Sequence, residues 1–77
     1  PNPASDVLTM TITPAEAGLH RIALTNPLGE EIAVLYDDKI SGTKEVSSPL
    51  IDIPAGLYFV VLQSPSEILV KRVMISK

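Results

Sequence analysis

A single histidine, two adjacent acidic pairs and a cationic C-terminal cluster are the residues of this 77-residue chain with side chains suited to chemistry. His20 is the only histidine, so any Ser-His-Asp triad would have to be built on it. Nothing near it has the form of a nucleophile elbow, and a lone His on a strand reads as a partly exposed packing residue. Asp37-Asp38 offers two hard oxygen donors, but further oxygen ligands do not follow at loop spacing; the pair reads as a solvated turn. Glu30-Glu31, directly after Gly29, reads as a hairpin shoulder. There is no Gly-rich phosphate loop and no His/Cys cluster at metal spacing. An aromatic content of 4% leaves no stacking platform for sugars. No base, nucleophile or metal site is supplied, so the expectation is a non-catalytic protein without a cofactor.

The cationic cluster survives this filter. Lys71, Arg72 and Lys77 are three of the six basic residues, and no acid follows Glu67. The formal charge of the whole chain is -3, against the basic footprint that nucleic-acid binders carry. Such an end either solubilises a last strand or is read electrostatically by a receptor. No apolar run approaches the ~20 residues that span a bilayer. There is no Cys, hence no disulfide or thiolate site. The length fits one domain near the lower limit of independent folding, burying roughly 60% of its unfolded surface. An opening of Pro1-Asn2-Pro3 with no start Met or signal peptide leads to the expectation of a piece cut from a longer protein.

The elements that must position this end are strands. Pro1-Asn2-Pro3-Ala4-Ser5 forms a stiff junction. In 7–13, Leu8, Met10 and Ile12 alternate with Thr9, Thr11 and Thr13, the pattern of a half-buried strand. Pro14 to Gly18 breaks it. A second strand over 19–25 puts His20, Ile22 and Leu24 on one face. Asn26-Pro27-Leu28-Gly29 is a turn, leading into a third strand over 32–36, the hairpin partner of the second. Residues 37–43, including Gly42, are polar and turn-prone. Short strands are expected over 45–48 and 50–53, the latter ended by Pro54.

The organising stretch follows. Gly56 suits a sharp corner, and Leu57-Tyr58-Phe59-Val60-Val61-Leu62 is apolar on both faces, the signature of a central strand. Tyr58 just past the turn corresponds to the tyrosine corner of Ig-like sandwiches. Leu57, Phe59 and Val61 form a second face, either covered by loops or open to a partner or second copy. A last strand over 68–76 carries Lys71-Arg72. About seven short antiparallel strands without helical periodicity predict an all-β, Ig-like or fibronectin-like sandwich, with Leu8, Met10, Ile12, Ile22, Leu24, Ile32, Val34, Tyr58, Val60 and Leu62 in its core.

Pro1-Asn2-Pro3, Asn26-Pro27-Leu28-Gly29, Gly42, Pro54-Ala55-Gly56-Leu57-Tyr58-Phe59-Val60 and a Lys-bearing last strand occur in this order. Together, over the whole chain, they resemble the C-terminal sorting domain of type IX secretion cargo from Bacteroidetes-type bacteria. The resemblance implies an Ig-like sandwich that crosses the inner membrane with an upstream passenger and is recognised by the outer-membrane translocon. A sortase-like protease would then remove it, with the passenger released or joined to a surface lipopolysaccharide. It assigns recognition to Lys71, Arg72, Lys77, Pro54, Gly56 and Tyr58, and a structural role to Pro1, Asn2, Pro3, Gly29 and Gly42. A spacer module of a multidomain extracellular protein would share the fold without needing the cationic end.

Overall fold

The computed structural model describes residues 6–76; Pro1, Asn2, Pro3 and Lys77 lie outside the described residues. Six strands follow in order: β1 (Val7–Ile12), β2 (Gly18–Thr25), β3 (Glu31–Ile40), β4 (Lys44–Pro49), β5 (Gly56–Gln63) and β6 (Ile68–Ile75). All pairings are antiparallel, in a four-stranded sheet of order β3-β2-β5-β6 and a two-stranded sheet of β1 and β4. The expected all-β sandwich is present. β5 lies between β2 and β6, the central position that its two apolar faces call for.

The β2–β3 hairpin turns where the Asn-Pro-Leu-Gly motif stands. The Asn26 carboxamide oxygen accepts the backbone N–H groups of Leu28 and Glu30, and Gly29 N–H donates to Asn26 C=O at 2.9 Å. Gly29 takes a φ of 87°, a conformation that side chains resist. At the other signal turn, Gly56 has a φ of 154°. The Tyr58 hydroxyl reaches back four residues to donate to Pro54 C=O at 2.8 Å. The corner therefore closes as the spacing of Pro54, Gly56 and Tyr58 implied.

Two buried clusters fill the sandwich. One joins Leu8, Leu24, Leu50, Ile53, Tyr58, Val73 and Ile75; the other joins Ile12, Ile22, Ile40 and Val46. Met10, Leu35 and Val60 pack against both and make the core continuous.

Four expectations need correction. Residues 50–53 are not a seventh strand: Asp52 turns with a φ of 65°, and Ile53 N–H closes onto Leu50 C=O. Pro49 and Pro54 leave too few donors between them for a ladder, while Asp is among the residues that tolerate the left-handed region. Residues 37–40 are not a turn; β3 runs on to Ile40, held against 18–21 of β2. Ile32 and Val34 are not core: they are 43% and 47% exposed. The partner of β2 jumps from Tyr36 to Val34 and again from Ala33 to Glu31, so β3 carries two bulges. Each bulge breaks the alternation, and Ala33, Leu35 and Tyr36 pack inward in their place. Finally, His20 is fully buried, not partly exposed. Its Nδ1 lies 2.8 Å from Gly18 C=O, and since a carbonyl only accepts, Nδ1 carries the proton.

Candidate functional site

The acidic pairs come apart in the fold. In a strand, neighbouring side chains point to opposite faces. Asp37 stands opposite Arg21 and Asp38 opposite His20, so the two carboxylates cannot close on one cation. Asp38 instead accepts the backbone N–H of Lys39 at 2.8 Å. Glu30 caps the hairpin through Asn26, and Glu31 grips Arg21 with two parallel bonds of 2.7 and 2.8 Å. This fork holds the Glu31 carboxyl below its usual range and raises the Arg21 guanidinium, chiefly through the side-chain hydrogen bond. Both side chains are half exposed, so the pair adds little stability. Among the described residues no three His, Cys, Asp or Glu side chains converge as metal ligands.

The cationic end lies on β6, whose one strand neighbour among the described residues is β5. The structure divides the two cations. Lys71 is in register with Val60, on the face that looks into the sandwich, and Arg72 is in register with Phe59 on the outer face. Val73 and Ile75, 4% and 1% exposed, anchor the same strand in the core. Exposed cations and buried apolar side chains thus share a single strand.

The outer face of the large sheet carries an apolar row in register: Val34, Ala23, Val61 and Val70. Val70 is 62% exposed and Ala23 only 3%, because the flanking side chains cover the short alanine. Leu57, Phe59 and Val61 are half-buried on this face. Pro54, Gly56 and Tyr58 stand at the corner, where their hydrogen bond shapes the entry to β5. The sequence placed Lys71 and Arg72 on the last strand; that they serve opposite faces follows only from strand period and the β5 register.

The geometry is thus that of a small all-β sandwich whose last strand carries two exposed cations, with no metal-ligand cluster among the described residues. The model of the secretion system C-terminal sorting domain family matches residues 1–76. The chain belongs to that family, the sorting tails of type IX secretion. No curated protein and no solved structure matches the chain. Membership marks the protein as a sorting signal for export to the cell surface or the extracellular space. No helix among the described residues is long and apolar enough to cross a membrane.

Proposed function

We propose that this domain is a non-catalytic address label carried C-terminal to a passenger, and that the outer-membrane translocon reads the cationic middle of β6. The observation that carries this reading is the placement of the exposed Lys71 and Arg72 at the middle of the last strand, beside Val73 and Ile75, which are buried in the core. The two cations steer and orient a receptor that carries acidic groups at its docking surface. The Pro54–Tyr58 corner supports the label by fixing the start of β5, on which β6 is laid. After translocation a sortase-like protease removes the label near its proline-rich entry, and the passenger is released or anchored at the surface.

The test fuses residues 1–77 to a folded reporter in a bacterium that has the pathway. Reporter on the cell surface, with the label cleaved away, is the expected result. A reporter left in the periplasm beside an intact label would sink the sorting role and leave a spacer module standing.

A further inference from the structure

Leu28 and Ile51 are the two most exposed large apolar side chains among the described residues, at 85% and 74%. A single exposed aliphatic residue needs no explanation, but these two share a setting. Each stands in a turn whose first C=O accepts the fourth N–H: Asn26 from Gly29 at 2.9 Å, and Leu50 from Ile53 at 3.4 Å. Each directly precedes a residue in the left-handed region, Gly29 at a φ of 87° and Asp52 at 65°. Asp52 is the one non-glycine residue with a positive φ among the described residues, a conformation kept only where its surroundings enforce it. Both turns are thus fixed in shape, and each holds an aliphatic side chain outward as a knob.

The topology brings the two knobs to one end of the sandwich. Thr25 stands opposite Phe59, so the turn at 26–30 and the start of β5 lie at the same end. In the small sheet Val7 stands opposite Pro49, and Leu50 N–H donates to Asp6 C=O at 2.9 Å. The loop at 50–55 joins these two levels, so the chain enters the sandwich at the end from which both knobs project. The connections at the other end, 13–17, 41–43 and 64–67, contain no Leu, Ile, Val, Met or aromatic residue.

The charge around the knobs has one sign. Asp6, Glu30 and Asp52 are exposed, and no Lys or Arg occurs in 26–30 or 50–55. A second copy set end to end would bring acids against acids, and an anionic lipid surface would repel them. A protein surface whose apolar hollows are ringed by Lys and Arg matches both the knobs and the rim.

We propose that the chain-entry end of the sandwich docks, through Leu28 and Ile51, onto a partner protein whose apolar hollows are ringed by basic residues. The inference rests on the sorting reading only for where that partner is met. Because the turns are preformed, the knobs need no ordering on binding.

The probe is the 77-residue chain carrying benzoylphenylalanine at position 51, irradiated with envelopes of a bacterium that has the export pathway. Position 15, exposed at the opposite end, is the control. The expected result is a protein adduct from position 51 and none from position 15, with Lys or Arg beside apolar residues in the adducted peptide. Chains without the photoreactive group then compete for the adduct. Leu28→Ser and Ile51→Ser should each compete about tenfold more weakly than the wild-type chain, the scale of one buried aliphatic side chain. Glu30→Gln with Asp52→Asn should compete about two- to thirtyfold more weakly, the scale of two exposed ion pairs. Asn tolerates the left-handed region as Asp does, and all four sites are exposed, so thermal unfolding of each variant should match the wild type. No adduct from position 51, equal adducts from both positions, or an adduct only with lipid or a second copy would each overturn the proposal. So would an adducted peptide without basic residues, or competition unchanged by the substitutions. The expected competition without surface delivery of the reporter fusion would leave the docking end standing and remove the sorting reading. Delivery with competition unchanged would do the reverse.

Discussion

Where β3 meets β4 the sandwich is stitched shut, and on its open side, where β1 faces β6, no strand contact joins the sheets among the described residues. On the closed side the chain itself crosses between sheets through Ser41, Gly42 and Thr43, with Gly42 at a φ of 92°. The Ser48 hydroxyl donates to Leu35 C=O at 3.2 Å, and the Lys44 ammonium sits 5.7 Å from the centre of the Tyr36 ring. Ile40 and Val46 are buried beside this crossing. On the open side Leu69 and Val70 are more than half exposed, and the charges of β6 are the exposed cations Lys71 and Arg72. Buried side chains carry a domain's stability, whereas exposed cations can be changed at little cost to it.

The comparison breaks first if the closed side does not carry the stability. Ile40→Ala, at a site 2% exposed, should cost about 2–5 kcal/mol, a large share of the stability of so small a domain. Leu69→Ala, on the open side and 51% exposed, should cost under about 1 kcal/mol. Urea unfolding of the two variants measures the contrast, and equal losses would erase it. The corner tests the same division at smaller scale. Gly56→Val forces a β-branched side chain into a φ of 154° and should cost about 1–3 kcal/mol. Tyr58→Phe removes the hydrogen bond to Pro54 and should cost about 1 kcal/mol; a midpoint unchanged in either variant would mean that the corner does not hold β5 in place.

The smallest effect is the pH dependence of the Arg21–Glu31 fork. The folded-state pKa of Glu31 is lowered, so its contribution is present above the ordinary carboxylate pKa and fades as the pH falls through the folded value. Arg21→Gln should therefore narrow the gap in melting temperature between neutral and acid pH by a barely measurable amount. A wider gap would contradict the assignment.

Much of this was legible in the residues. Strand period located the core faces of β1, β2 and β5, because strict alternation leaves one face apolar. Turn chemistry located the hairpin and the Pro54–Tyr58 corner, where Pro, Gly and Asn constrain the backbone locally. What failed was non-local. The bulges of β3 answer to its pairing with β2, so Ile32 and Val34 looked inward by alternation and are turned out by register. His20 looked half exposed because its burial depends on elements packing over it, which its neighbours in sequence do not encode. The last strand was recognisable as cationic. What it stands across from could not be read, since β1 and β6 lie far apart in the sequence.

The central claim is that the open side is read and the closed side is not. Two double variants make the same change in net charge on the two sides: Lys71→Glu with Arg72→Glu, and Lys39→Glu with Lys44→Glu. All four positions are exposed, so each pair should shift stability by no more than about 0.5 kcal/mol per site, checked by thermal unfolding. Each is fused to the reporter and surface delivery is measured. The open-side pair should fall to the level of a reporter without the domain, while the closed-side pair keeps wild-type delivery. Undiminished delivery by the open-side pair, or equal loss in both, would contradict the account.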